Sequence, residues 1–376
     1  MLIVYCIAKT HGSGGMERVL SFKANFLVKK GYDVIIITTD QCGKAVFFPL
    51  DSRIRCYDLG INYEADNEKS FIYKIISYSI KQRQHKRKLS VLLKSLNADI
   101  VISMFCNDVS FIADIEDGSR KILELHFCKF KRLQYGHKGL RRVVDHILSN
   151  SDQKIVKKFD RFVVLTHEDN GYWGNLPNIE VIPNAIPFSE KGTAALINKK
   201  IIAIGRYDYQ KGFDLLIEAW AIVWKTHPDW SLDIIGEGKL LKQLQQQIKD
   251  NNLQHNVFLL PPTKEIKEHY LKSSGLVMSS RYEGFGMVLL EAQSFGVPVI
   301  SFECKCGPKD IISHGVDGYL VPEGDIEMLA YHINELINNS DIRVQMGEAA
   351  KENSTRFSQS QVMSSWIKLF QDLTVK

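Results

Sequence analysis

The chain has 376 residues, 45% of them hydrophobic and 24% charged, with a formal net charge of +5. At roughly 100–200 residues per domain this length makes two or three domains, and the ordinary composition excludes a disordered or low-complexity chain. No run of about 20 apolar residues occurs, which excludes a spanning helix, and the opening MLIVYCIAKT lacks the basic region and cleavage signature of a signal peptide.

In chain order, the first element is the apolar run at residues 2–8, a predicted β-strand. A glycine-rich stretch at 12–15 follows, then a helix over 16–30 with Gly31 at its C-terminal end. Further strands are expected at 33–39, 100–104, 121–126, 161–166 and 180–183. Short, near-continuous apolar runs of this kind suit parallel strands covered on both faces. Between 183 and 200, Pro183, Pro187 and Gly192 punctuate a polar stretch. The rhythm then restarts with strands at 200–205, 231–236, 256–260, 276–280 and 297–302, separated by helices such as 213–225 and 239–251. This alternation predicts two successive doubly wound α/β domains. Such sheets bind ligands beyond the carboxyl ends of their strands. With two of them face to face, the cleft between is the expected site.

Charge is unevenly placed. Residues 69–94 hold eight Lys/Arg and no acid, and residues 120–142 hold eight against Glu124 alone. Such stretches attract phosphates, anionic membranes or nucleic acid. In the first of them Phe71, Ile72, Ile75, Ile76 and Ile80 interleave with Lys74, Lys81, Arg83, Lys86, Arg87 and Lys88. The pattern fits a basic amphipathic helix on an anionic membrane. It fits equally a helix whose apolar side packs on the sheet. The seven cysteines are an odd number in a long chain, and Cys304-Lys305-Cys306 lacks the spacing of a zinc pair, so reduced thiols in the cytosol are expected.

Four segments carry chemistry. Residues 279–292, SSRYEGFGMVLLEA, run from a strand end through two glycines into a helix. Glycine allows close backbone approach and a helix N-terminus welcomes an anion. Glu283 would sit in the turn and Glu291 inside the helix, where carboxylates could accept hydrogen bonds from sugar or ribose hydroxyls. An ordinary strand–turn–helix with two solvated acids reads the same way. Residues 205–212, GRYDYQKG, also follow a strand; Arg206 and Lys211 suit a diphosphate, or a solvated basic loop. Gly12-Ser13-Gly14-Gly15-Met16-Glu17-Arg18 could cradle a phosphate or let substrate approach the backbone, but it is not the dinucleotide pattern. His126 ends a strand, a place for a catalytic histidine or a structural one.

Together these segments resemble the retaining family 4 glycosyltransferases of the GT-B fold. The likeness runs over nearly the whole chain, through GGMERV, His126, VIPNAI at 181–186, GRYDYQKG, the Glu283/Glu291 pair in EGFGMVLLEA, GVPVIS at 296–301, CGPKDII at 306–312 and GVDGYLV at 315–321. Ala185 and Asp310 depart from the commoner Gly and Glu, both conservatively. The resemblance implies two Rossmann-like doubly wound domains facing a central cleft. The acceptor-binding domain is expected over 1–187 and the nucleotide-sugar domain over 188–355. Residues 356–376 form a final helix returning to the first domain, with Trp366 and Phe370 as packing residues. It implies that Arg206 and Lys211 bind the diphosphate and Glu291 the ribose. Glu283, Gly284, Phe285, Gly286, Met287 and Val288 line the donor. His126 serves the sugar and acceptor side, and Gly14 and Gly15 border diphosphate and acceptor.

The implied reaction moves a hexosyl unit from a nucleotide sugar, UDP being commonest, to a saccharide or lipid-linked saccharide in glycan or polysaccharide assembly. The leaving diphosphate needs positive charge. The sequence holds no Asp-x-Asp to carry a metal, whereas Arg206, Lys211 and the helix start after Gly284 can supply that field. No metal or cofactor is therefore expected, the nucleotide sugar being a substrate. The partners expected are donor, acceptor and an anionic membrane surface, without nucleic acid. The chain is expected in the cytoplasm, on the inner face of the plasma membrane where the membrane reading holds. A nucleotide-sugar epimerase and a non-catalytic nucleotide-sugar-binding protein are the competing readings.

Overall fold

A computed structural model describes residues 1–134, 140–174, 176–187 and 192–375. Lys138 of the second basic stretch and residues 188–191 of the predicted break lie outside the described residues, as do the side chains of Phe71, Arg132, Arg141 and Arg142. The chain divides into two compact units, one of residues 1–187 and 360–376, the other of residues 188–359.

The N-terminal unit is built on a parallel sheet of seven strands: β1 (Leu2–Ile7), β2 (Asp33–Thr38), β3 (Arg55–Asp58), β4 (Ile100–Ser103), β5 (Arg120–Glu124), β6 (Arg161–Val164) and β7 (Ile179–Val181). Their order is β3-β2-β1-β4-β5-β6-β7, so the winding direction reverses between β1 and β4. In register, Ile3 stands between Val34 and Ile100. The two-residue period of a strand sends alternate side chains to opposite faces. Ile3, Tyr5 and Ile7 join a core with Leu20, Ala24 and Leu27 of α1 (Gly15–Lys29) and with Trp366 and Phe370 of the last helix. Val4 and Cys6 join a second core with Leu89 and Leu93 of α2 (Phe71–Leu96). A sheet buried on both faces explains why its strands read as unbroken apolar runs.

Helix α2 answers the question its sequence left open, and differently at its two ends. Leu89 and Leu93 are fully buried, so the C-terminal half packs its apolar side inward. Ile72, Ile75, Ile76 and Ile80 near the start are 54–72% exposed, and Tyr73 and Tyr78 are about half exposed.

The second unit carries six parallel strands: β8 (Lys200–Ile204), β9 (Ser231–Ile235), β10 (Val257–Leu260), β11 (Gly275–Met278), β12 (Val299–Phe302) and β13 (Gly318–Val321), in the order β10-β9-β8-β11-β12-β13. The reversal again falls beside the first strand, between β8 and β11. Its core centres on Phe213, Leu216 and Trp220 of α3 (Phe213–Val223) with Ile201, Leu232 and Val277 of the sheet. Helices α4 (Leu241–Asp250) and α5 (Met287–Ser294) complete the predicted alternation. The last helix, α6 (Gln359–Thr374), belongs to the first unit from Ser360 onward.

Two strands escaped the sequence reading. All four residues of β3 are exposed, so it has no apolar run to announce it. The motif GVDGYLV proves to contain β13. The strand expected from 297 begins at Val299, since Pro298 has no N–H for a ladder bond.

Candidate functional site

In the C-terminal unit two loops meet beyond the carboxyl ends of β8 and β11. The first leaves β8 at Gly205 and tightens into a single 3₁₀ turn over Tyr209–Lys211, capped by the Asp208 side chain. Gly212 ends that turn at φ +61°, and a Cβ there would strike the Ser279 carbonyl. Only glycine lets the first loop lie this close to the second.

The second loop ties itself to the first. Ser279 Oγ donates to the Lys211 carbonyl at 3.0 Å, and Gln210 Nε2 to the Tyr282 carbonyl at 3.0 Å. Arg281 donates to the Asp214 carboxylate through both terminal nitrogens, at 2.9 and 2.6 Å, and covers the Tyr209 ring. Tyr207 anchors the base by donating to the carbonyls of Ile234 and Leu260. None of Ser279, Gln210, Tyr207 and Asp214 was marked out as more than part of a motif. Their work is bracing, and side-chain bonds to distant carbonyls or to another side chain leave no signature in the sequence.

This brace delivers Lys211 to Glu283. Lys211 Nζ donates to Glu283 Oε1 at 2.6 Å, and Ser280 Oγ donates to the same oxygen at 2.6 Å. Glu283 was expected in the turn, with a solvated acid as the other reading. It is in fact 7% exposed. Arg206 behaves otherwise: its side chain is 71% exposed, held by Asp208 at 3.0 Å and Gln210 at 3.2 Å. The structure thus brings Lys211 and Glu283 together and leaves Arg206 at the surface.

Gly284 and Phe285 lead to Gly286, which starts α5 at φ +88° with no side-chain cap. Met287 and Val288 form the first turn, whose leading N–H groups are those an α-helix cannot satisfy internally. Phe285 is buried beneath it, and a Cβ on Gly307 would run into the Phe285 carbonyl. Glu291 lies in the second turn, 3% exposed, accepting from the Tyr270 hydroxyl at 2.8 Å.

In the N-terminal unit the glycine loop follows β1 and caps α1 through Gly14. The Glu17 carboxylate folds back so that a Cβ on Gly12 would lie 2.6 Å from Oε1 and one on Gly14 would also strike it, while the space beside Gly15 is open. An acid against this loop favours hydroxyl groups there over phosphate. His126 lies two residues past β5. Its Nε2 is 3.1 Å from Glu124 Oε1, at ion-pair distance, though off the line of a hydrogen bond. Glu124 also receives both its bonds from Lys23, at 2.7 Å. Burial pushes the Glu124 carboxyl up, but Lys23 and His126 outweigh it and hold the group at about 2. Burial pushes the Lys23 ammonium down to about 8 in spite of Glu124.

Between the ends of β1, β2 and β4 a cavity is lined by Cys6, Ile7, Thr39, His85, Cys106 and Asp108. The Asp108 carboxylate has no hydrogen-bond partner at normal geometry, and burial pushes it up to about 6. The seven cysteines, all among the described residues, form no disulfide.

Known proteins agree with this architecture. Residues 188–353 match the family described as Glycosyl transferases group 1. An uncharacterized glycosyltransferase of Haemophilus influenzae is 29% identical over 97% of this chain and 98% of its own length. The amylovoran biosynthesis glycosyltransferase AmsD of Erwinia amylovora is 27% identical over 94% of this chain and 95% of its own. Among solved structures, Staphylococcus aureus TarM, crystallised with UDP, fondaparinux and α-GlcNAc-glycerol, superposes with a TM-score of 0.77 at 19% identity, covering 98% of this chain and 99% of that one. The two Rossmann-like domains are those of the GT-B fold. Residues 188–353 thus carry a match to the group 1 glycosyl transferases, and the chain is a glycosyltransferase.

Proposed function

We propose that the chain is a retaining, metal-independent hexosyltransferase of family 4, taking its sugar from UDP and passing it to a saccharide or lipid-linked saccharide in polysaccharide assembly. The observation that carries this is the contact of Lys211 with Glu283 at the uncapped start of α5. An ammonium, a row of helix N–H groups and the exposed Arg206 guanidinium offer positive charge where a pyrophosphate would leave. Departure of that group needs no divalent ion if this field is in place. Glu283, once Lys211 turns to the diphosphate, is a carboxylate for the donor sugar's hydroxyls. The configuration follows from the family likeness, with the acceptor attacking on the face the diphosphate leaves. His126 is assigned to the sugar and acceptor side. UDP in the TarM crystals and amylovoran synthesis by the Erwinia relative support the choice of donor and pathway class.

A calorimetric screen of UDP-, GDP- and ADP-sugars, followed by transfer assays with EDTA, tests the reading. Binding of a UDP-sugar and turnover undiminished by chelator are expected. Turnover abolished by EDTA ends metal independence. A donor converted with no acceptor present points to an epimerase instead.

The start of α2 supplies the acceptor's setting. Ile72, Ile75, Ile76 and Ile80 lie open beside Lys69 and Lys74, on a stretch with no acid, whereas Lys81 turns inward to pair with Asp66 at 2.6 Å. This suits an anionic membrane surface, where the apolar side chains enter the headgroup boundary and the lysines meet phosphates. No described helix is long and apolar enough to cross a membrane. In flotation with vesicles containing anionic lipid, the protein is expected to rise at low salt and less at high salt. Protein left at the bottom at low salt removes the membrane from the reading.

A further inference from the structure

Lys23 lies midway along α1, on the face that buries Leu20, Ala24 and Leu27. Its side chain is 4% exposed and that of Glu124 is 1% exposed. The Trp366 ring of α6 covers the ammonium, with Nζ 3.4 Å from the ring centroid, and the Tyr5 ring stands on another side at 5.6 Å. A cation between aromatic faces is held by the ring quadrupoles, more strongly where water is absent. So the last helix of the chain closes over a charge near its start.

A buried ion pair seldom stabilises a fold more than apolar residues of the same volume would. Its distinctive property is fixed geometry. Both Glu124 oxygens receive Nζ, so the carboxylate cannot rotate away, and Oε1 is left 3.1 Å from His126 Nε2. The nitrogen facing a carboxylate is the one that carries the proton. With Lys23 on both oxygens of Glu124, the Nε2 side of the ring faces a carboxylate held in place, at a distance that a small turn of the ring would make a hydrogen bond.

We propose that the Lys23–Glu124 pair is a positioning device for His126. It keeps the proton on Nε2, so that Nδ1 is the nitrogen offered to a sugar hydroxyl, and Trp366 is the cover that keeps the pair dry. The proposal rests on His126 being a site residue, as read above.

Histidine ¹⁵N spectra of the intact protein test it first. A single Nε2–H tautomer for His126 is expected, and an Nδ1–H tautomer overturns the proposal without any variant. The double variant Lys23→Met/Glu124→Gln then removes both charges, leaving neither alone in the core. Its circular dichroism is expected to stay native and its His126 signal to become a tautomer mixture. Its kcat is expected to fall about a hundredfold with the donor KM nearly unchanged, as loss of a group acting in the transition state requires. A folded double variant with wild-type kcat overturns the positioning role. Trp366→Phe keeps a ring over the ammonium and should keep kcat, while Trp366→Leu should not; equal rates in the two overturn the part given to Trp366. His126→Ala separates the two claims. Full activity in it removes His126 from the site, whereas an inactive His126→Ala beside a fully active double variant refutes only the positioning.

Discussion

In the C-terminal unit Lys211 meets Glu283 at 2.6 Å, with side chains 16% and 8% exposed; in the N-terminal unit Lys23 meets Glu124 at 2.7 Å, with side chains 4% and 1% exposed. The contacts are nearly alike, but their surroundings are not. Glu283 is also bonded by a serine hydroxyl in a loop, and Lys211 stands on a one-turn helix between glycine-marked bends. Both members stand in loops, so separating them would displace loop contacts rather than open a core. The Lys23–Glu124 pair sits between a helix, a strand and an indole ring. Separating it would leave a charge alone in the core, which costs several kcal/mol. The open pair is suited to exchange partners during a reaction, and the closed pair to hold a neighbour still.

The largest effects should come from the open pair. Glu283→Ala is expected to lower kcat/KM by about a thousandfold, the scale of removing a preorganised group from a transition state, with circular dichroism unchanged. Lys211→Ala should lose about as much and should also weaken nucleotide binding, measured by calorimetry. Full transfer in either variant would break the assignment of the site. Next in size is Gly212→Ala. Its φ of +61° and the Ser279 carbonyl in the path of a Cβ leave no room for a methyl group. A loss of about 3 kcal/mol is expected, by strain and local displacement. Urea unfolding reads it, and a variant as stable as wild type would show that the two loops are not locked.

That difference between the pairs also explains what the sequence made legible. Lys211 and Glu283 stand in turns flagged by Gly205, Gly212, Gly284 and Gly286, directly after apolar runs. Glycine where the backbone takes positive φ, and strands buried on both faces, are constraints local enough to read along the chain. The alternation of strands and helices, and so the fold, followed from the same kind of signal. Lys23 is mid-helix and Glu124 is the last residue of a strand, 101 positions away. Each looks like a surface charge until the fold buries it. Glu124 was noted only as the single acid of a basic stretch, and Trp366 only as a packing residue. The bracing roles of Ser279, Arg281 and Asp214 were hidden likewise, since long-range side-chain bonds leave no period. The exposed strand β3 was hidden for the opposite reason, having no buried face to pattern it.

The closed pair should leave its mark on the pH dependence of stability in the N-terminal unit. Glu124 is held at about 2, below its ordinary 4.5, so the folded state keeps it ionised after the unfolded chain has taken up a proton. Its contribution is complete above 4.5 and is lost as the pH falls from there toward 2. Lys23 is pushed to about 8 from 10.5, so the folded state sheds that proton first, and stability rises with pH across this interval. Each limb is worth about 3 kcal/mol at 1.4 kcal/mol per unit. In the Lys23→Met/Glu124→Gln variant both limbs should flatten, as measured by urea midpoints from pH 3 to 10. Limbs equal to those of wild type would mean that other groups set them.

The smallest effect concerns a third carboxylate, one with no cation against it. Burial raises Asp108 to about 6 from 3.8, and neither oxygen has a hydrogen-bond partner at normal geometry. The folded state therefore holds a proton that the unfolded chain has lost between pH 3.8 and 6. Stability falls as the pH rises through that window and levels off above it, the opposite sense to Glu124. Asp108→Asn cannot ionise and keeps the volume of the protonated acid. At pH 4 its urea midpoint should match that of the wild type, and at pH 7.5 it should be the more stable by about 2 kcal/mol. A variant less stable than wild type at pH 7.5 would show that the cavity beside Cys6, His85 and Cys106 needs the carboxylate charged. That result would set Asp108 beside Glu124 as an acid the fold requires ionised, and the contrast between paired and unpaired carboxylates in this unit would fall.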